Sequence, residues 1–487
     1  MLMRLKSRGP LYRRVYESLR EKILSGELPA GAPLPGTRTL ARDLGVSRIV
    51  TLAAFEQLVA EGYIDSKIGS GSRVAVQVPA AIAVPRKRKR AKGDGDVSAY
   101  ATRATQLAPH VIKSPKRNAK VIDFEYGTTR PDARTVALWR QAVSRAAAHP
   151  QLGYPDPAGH PQLRRLLADH LRDQRGVVTD ADDIVIVSGA QQAIDLAARV
   201  ICDKETRIGI EDPHYQGTHH AFVAAGAQVI SCAVDAEGLD IARHARSLAN
   251  ARAVCVTPSH QFPTGAIMSV ARRLALLRWA VRQRAWILED DYDCEFRYGV
   301  GAIPALQGLD TSGRVIYIGT FARMLFPALR LGYIVTPPSL REAFRAVKWL
   351  ADRGSPPLEQ QAVASLLESG AYESMRRRTV RRLGEKRDAM VDAIRKHFSD
   401  RDVTAAGASS GTHIFLHLHR VRASATDALI ARAQRRGVRV YSARAYYQRA
   451  PRHATLILGY TTVGVDEIDS GVARLAKALG TKADASM

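Results

Sequence analysis

The sequence has 487 residues, 46% of them apolar, and a formal net charge of +25. That length is too great for one core and suits two or three domains. No run of about 18 apolar residues marks a membrane span, and the opening "MLMRLKSRGPLYRR" has no apolar stretch after its charges, so it does not read as a secretory signal. The four cysteines, Cys202, Cys232, Cys255 and Cys294, lack metal-type pairing. A zinc site or disulfide scaffold is disfavoured, and a reducing cytoplasm fits.

The charge is unevenly placed. Residues 1–120 hold 23 Lys+Arg against 9 Asp+Glu, and the remaining residues hold 49 against 38. A basic excess concentrated in one short segment points to a polyanion partner, most often nucleic acid.

In chain order, Leu11, Val15, Leu19 and Ile23 recur at spacing four, one face of a first helix. "SGELPAGAPLPG" breaks the chain. A short helix from Thr37 to Leu44 ends at Gly45. Ser47 is a good N-cap for a third helix with Val50, Ala54 and Leu58 inward. "YIDSKIGSGSRVAV" alternates like a hairpin with a Gly-rich tip. Two helices joined by so short a turn have helix-turn-helix spacing, which puts the start of the third helix in the major groove. Ser47, Arg48 and Thr51 fall there, with Arg38 on the supporting helix. Lys67, Ser70 and Arg73 on the wing can reach the phosphate backbone.

Residues 77–120 show no useful helical or strand period, and Pro, Ala, Gly and charge dominate. They read as a flexible basic linker. Its "RKRKR" run, Arg86 to Arg90, offers sequence-blind phosphate contacts, or is no more than solvated charge.

From Val121 strand-like and helix-like segments alternate, and the apolar strand runs are continuous. This predicts an α/β fold with a mostly parallel sheet covered on both faces. Ligands in such sheets sit at the carboxyl ends of the strands. The polar residues expected there are Gly189, Ala190 and Gln191, Tyr215, His260 with Gln261, Asp290 with Tyr292, and Thr320. Gly189 to Gln191 open a helix, whose N–H groups suit phosphate. Thr320 and Arg330 can complete a phosphate cage. A carboxylate at the end of a buried strand, Asp290, needs a partner such as a protonated ring nitrogen. Together they describe a pocket for a phosphorylated aromatic heterocycle.

The wording of both parts carries a resemblance. "LPGTRTLARDLGVSRIVTLAAFEQLVAEGYIDSKIGSGSRV", including Gly69-Ser70-Gly71, resembles the winged helix of GntR-type bacterial repressors. "YPDPAGHPQLRRLLADHL", "SGAQQAIDLAAR", "EDPHY", "TPSHQFPTGAIMS", "EDDYDCEFRY" and "VIYIGTF…LFPALRLGYIV" resemble the aminotransferase-like half of MocR-type regulators. These join a GntR winged helix to a fold-type-I pyridoxal-phosphate domain. The resemblance implies a winged helix over 1–76, the linker over 77–120, a large domain over 121–370 and a smaller α+β domain over 371–487. It implies a cytoplasmic, nucleoid-associated regulator that binds double-stranded operator DNA as a head-to-tail homodimer. Asp290 would face the pyridine nitrogen, Tyr215 stack on the ring, Tyr292 meet the phenolic oxygen and Arg330 hold the phosphate. Tyr154 would reach across the dimer to the neighbour's phosphate site.

One departure stands out. The family's Gly-Thr-Phe-Ser-Lys reads here Gly319-Thr320-Phe321-Ala322-Arg323. A Schiff base needs a neutral amine, which lysine can supply and a guanidinium cannot. Three readings stay open. Pyridoxal phosphate binds non-covalently with Arg323 pairing to an anion. The pocket has turned to another effector, or to none, on a dimerising scaffold. Or another lysine such as Lys348 reaches the cofactor. Gly217 and Ala221, where an arginine for a substrate carboxylate would be welcome, and "MRRRTVRR" also depart from the family pattern. The expectation is a regulator rather than an enzyme, with an unknown effector. The competing class is a free-standing aminotransferase. A purely architectural DNA binder is a third.

Overall fold

The computed structural model describes residues 9–67, 71–76, 97–107, 121–298 and 304–480. The chain divides into two compact units, 1–96 and 97–487.

The first unit carries helices α1 (Leu11–Leu24), α2 (Thr37–Leu44) and α3 (Arg48–Ala60), then strands β1 (Ile64–Lys67) and β2 (Gly71–Val74). Gly45 ends α2 in the left-handed region that glycine adopts without strain. The Ser47 hydroxyl caps α3 by accepting from the Val50 N–H, as its sequence position predicts. Val15, Leu19 and Ile23 of α1 meet Ala54, Phe55 and Leu58 of α3 in one core, whereas Leu11 stays 45% exposed. The wing pairs antiparallel, Ile64 opposite Val74.

The second unit opens with α4 (Ala99–Leu107), β3 (Ile122–Asp123), α5 (Ala133–Ala148) and α6 (Pro161–Arg175). Then come β4 (Ile184–Val187), α7 (Ala190–Ile201), β5 (Arg207–Asp212), α8 (Gln216–Ala225), β6 (Gln228–Asp235), β7 (Gly238–Leu239), α9 (Ile241–His244) and β8 (Ala253–Val256). They are followed by α10 (Val270–Gln283), β9 (Trp286–Asp290), β10 (Val315–Thr320), β11 (Gly332–Val335) and α11 (Arg341–Asp352). The eight strands β4 to β11 form one sheet in the order β4-β11-β10-β9-β8-β5-β6-β7. Pairs β10/β9, β9/β8, β8/β5 and β5/β6 are parallel, while β11 runs against both neighbours. The apolar strands are buried on both faces, as the all-buried "IVIV" of β4 shows.

Helices α12 (Pro357–Glu368) and α13 (Ala371–His397) lead to the smaller part, with β12 (Val403–Ala406), β13 (His413–Arg422), α14 (Thr426–Arg435), β14 (Val438–Arg439), β15 (Tyr441–Ser442), β16 (His453–Gly459) and α15 (Val465–Leu479). Its sheet runs β12-β13-β16-β15, and α13 packs on α15 beside it. The fold class is the expected one. Two details differ. Strand β3, in the segment expected to belong to the large domain, pairs with β14 of the smaller part. And the expected linker contains a helix, α4, held on α8 where Arg103 donates to the Ala224 carbonyl at 2.9 Å and 3.1 Å. A cation at a helix carboxyl end is electrostatically favoured. Among the described residues no helix is long and apolar enough to cross a membrane.

Candidate functional site

The parallel sheet determines where the polar residues gather. Strands β4, β5, β8, β9 and β10 deliver Ser188, Tyr215, Thr257, Asp290 and Thr320 at or just past one edge. Because β11 is antiparallel and starts opposite Thr320, Arg330 just before it comes to the same edge. A cavity of about 320 Å³ opens there. Its walls include the expected Ala190, Gln191, Tyr215, Asp290, Tyr292, Thr320, Arg323 and Arg330.

The "EDDYD" run shows which carboxyl is available. Glu289 accepts from the Leu306 and Gln307 amides at 2.8 Å each. Asp291 accepts from Arg175 at 2.9 Å and Tyr317 at 2.7 Å. Asp293 accepts from Thr412 at 3.0 Å and pairs with Arg323 Nε at 3.3 Å. Of the run's carboxyls, Asp290 lines the cavity; its Oδ1, like that of Asp291 and Asp293, is buried with no hydrogen-bond partner among the described residues. Burial, then the neighbouring Asp291, pushes its carboxyl up to about 7. The Tyr292 hydroxyl is likewise buried and unpartnered, and burial holds it far above the usual phenol range. These two orphaned polar atoms in one cavity wall fit a heterocycle with a basic ring nitrogen and a phenolic oxygen on the ring.

At the other cation, Arg330 donates to the Ser188 carbonyl at 2.7 Å. Gly189 makes the approach possible. Its φ of +83° suits glycine, and an added Cβ would stand 3.2 Å from the Arg330 guanidinium. With the amino end of α7 and Thr320, this arrangement could hold an anion. Gln191 braces it, donating to the Gly217 carbonyl at 3.1 Å.

Arg323 lies over the Tyr292 ring, 5.4 Å from its centroid. Its Nη1 is buried without a partner among the described residues. Among the described residues, no lysine lines the cavity. Lys348 is engaged elsewhere: its ammonium meets Asp352 at 2.6 Å and Ser355 at 2.8 Å. The reading in which Lys348 reaches the cofactor is therefore corrected, because that amine is buried in its own ion pair.

Three further site expectations need correction or separation. His260 does not line the cavity. It is buried behind Tyr292, with ring centroids 6.1 Å apart, and its Nδ1 lies 2.8 Å from Ser410 Oγ. Phe262 lines the cavity instead. Burial, then His413 and Arg323, drives the His260 ring well below its usual range. Tyr154 lies outside the cavity of its own chain and is 85% exposed. Thr51 is fully buried, 0% exposed. Its hydroxyl lies 3.0 Å from the Thr37 carbonyl and 2.9 Å from the Arg48 carbonyl, so it fastens α3 to α2 rather than facing outward.

In the first unit Arg38, Ser47 and Arg48 are exposed, as is Arg73 on the wing. Lys67 ends β1, and Gly69 and Ser70 lie outside the described residues. Sequence reasoning missed Tyr126, Gly127, Thr257, Phe262, Pro327 and Tyr446 in the cavity wall. Tyr126 and Tyr446 share a hydrogen bond between hydroxyls that are 320 residues apart in the chain, a contact no local motif signals.

Residues 119–452 match the aminotransferase class I and II family, and residues 11–74 match the bacterial regulatory proteins of the gntR family. The chain is 35% identical over 474 residues to the probable rhizopine catabolism regulatory protein MocR of Rhizobium meliloti, covering 96% of this chain and 94% of that protein. It is 32% identical over 476 residues to the HTH-type transcriptional regulator TauR of Rhodobacter capsulatus, covering 97% of each. Among solved structures, the alpha-aminoadipate aminotransferase LysN from Thermus thermophilus, complexed with N-(5'-phosphopyridoxyl)-L-leucine, superposes with a TM-score of 0.67 at 26% identity, over 79% of this chain and 97% of that one.

Proposed function

The chain belongs to the MocR-type GntR regulators, and from that premise we propose that it is a transcription regulator whose aminotransferase-like cavity binds a phosphorylated pyridine reversibly and does not turn it over. The observation that carries this is Arg323. A guanidinium, paired with Asp293, stands in the cavity wall, and the sequence resemblance puts the family's reactive amine at that position.

Pyridoxal phosphate is the ligand that the donor set fits. When bound it supplies a cationic ring that draws electrons from attached groups. This chain's residues do the holding. Asp290 keeps a proton on the ring nitrogen, and Tyr215 offers a ring face. Tyr292 donates to the phenolic oxygen. Arg330, Thr320 and the amino end of α7 take the phosphate. Arg323 offers N–H groups but no neutral amine, so it neither anchors the ligand covalently nor shuttles a proton. A transaminase needs both. A panel of amino acids incubated with the loaded protein should therefore yield no pyridoxamine phosphate; steady formation would establish the enzyme reading instead.

The first unit reads operator DNA. Arg48 and Ser47 at the exposed start of α3 enter the major groove, while Arg38, Arg73 and Lys67 meet phosphate. Gly69 and Ser70, outside the described residues, belong to the DNA-contacting set in this reading. The protein works as a head-to-tail homodimer, in which the partner subunit's Tyr154 approaches the phosphate site; the exposure of Tyr154 supports this. Selection from random duplexes should enrich one sequence family. Arg48→Ala should lower affinity for it by about tenfold or more with little change for unrelated duplexes. Equal loss on all duplexes would mean Arg48 contacts phosphate only, and no enrichment would favour the architectural binder.

A further inference from the structure

We propose that Arg323 makes the cavity selective for a phosphorylated pyridine that also carries a carboxylate, a preference that rests on the reading of the cavity given above. Two arginines line the cavity, in different surroundings. Arg330 is committed to the amino end of α7, donating to Ser188 and packed on Gly189. One anionic group of a ligand belongs there. Arg323 stands with Asp293, Tyr292 and Gly127. The Thr129 hydroxyl donates to its carbonyl, which fixes the backbone.

The guanidinium is a planar fork. Asp293 engages its Nε side. Its Nη1 has no partner among the described residues, and the side chain lines the cavity with 18% of its surface exposed, so a ligand acceptor can meet the free side of the fork. The other titratable groups facing this point do not substitute. Asp293 is already shared with Thr412. Burial lowers the pKa of both His260 and His413, which disfavours their charged forms. Asp290 is the partner reserved for a ring nitrogen.

Three kinds of ligand group differ at Arg323. An ammonium, as in pyridoxamine phosphate, meets a like charge. An aldehyde offers one neutral acceptor. A carboxylate offers an anionic acceptor of matching planar shape. The carboxylate has two sources, a ring acid or an amino acid joined to the pyridine by a reduced carbon–nitrogen bond. The shared chemistry is a pyridine phosphate with a second anion.

The test is calorimetric binding to the full chain of four probes: pyridoxal phosphate, pyridoxamine phosphate, 4-pyridoxic acid 5'-phosphate and N-(5'-phosphopyridoxyl)glycine. At least one acid should bind about tenfold or more tighter than the amine, and which acid does so identifies the source. Arg323→Gln should abolish that preference while phosphate-dependent binding persists. Equal affinities in the native protein, or a preference that survives Arg323→Gln, would overturn the inference. Arg323→Lys separates this from failure of the cavity reading. If that variant is fixed to pyridoxal phosphate by borohydride while the native protein shows no acid preference, the pocket stands and the role of Arg323 falls. If no probe binds the native protein and Arg323→Lys is not fixed, both fall.

Discussion

At the scale of single residues, Asp290 is the most informative. Its carboxyl is raised from 3.8 to about 7, by burial first and Asp291 second. The folded chain therefore binds that proton more tightly than the unfolded chain does. The stabilisation is full below pH 3.8 and is lost as the pH rises towards 7. Melting temperatures measured across that range should fall for the native protein relative to Asp290→Asn; a constant gap between the two would contradict the account. Glu211 and Glu289 are raised similarly, so only the difference isolates Asp290. Asp290 was legible in the sequence, because an acidic run ending a buried strand draws notice. Thr51 was misread although the signal was present. It lies one heptad before Leu58, which faces inward, and a helix brings such residues to one face. The short polar side chain suggested a DNA contact, but its hydroxyl was needed for a backbone carbonyl. His260 failed for another reason. Phe262, two residues on, took the wall position, and only the path of that loop decides between them.

At the scale of elements, strand ends and helix starts were legible, since continuous apolar runs followed by polar or glycine residues reveal both. Ala190, Gln191, Tyr215, Asp290 and Thr320 came from that reasoning, and the cavity contains all of them. Tyr126 and Tyr446 did not, because they arrive from segments with no period and meet only in the folded chain. Helix α4 was missed likewise: none of its residues is fully buried, so it lacks a strong apolar stripe. Its docking depends on Arg103 at the end of α8. Arg103→Ala should speed hydrogen exchange of the 97–107 amides by about tenfold, the worth of a charge-assisted bond of ~1.5 kcal/mol. Unchanged exchange would mean that other contacts hold α4. The start of α7 is a second test. Gly189→Ala puts a side chain at φ +83° and 3.2 Å from Arg330. It should cost about 1 kcal/mol or more in stability and weaken binding of inorganic phosphate, which calorimetry would show. Full retention of both would mean that the cradle is looser than its geometry indicates.

At the scale of the whole molecule, two units carry two kinds of work. The basic excess lies mainly in residues 1–120, so duplex binding should weaken steeply with salt. The proposed sensor depends on the second unit alone, where residue 323 would remove covalent chemistry while the cavity still holds a ligand. The most direct measurement is the visible absorption of the purified chain with added pyridoxal phosphate, before and after borohydride, followed by dialysis and intact mass. The account predicts bound pyridoxal phosphate that dialyses away and leaves the mass unchanged after borohydride. A borohydride-fixed adduct on the native chain would contradict it, because some lysine would then be doing what Arg323 cannot.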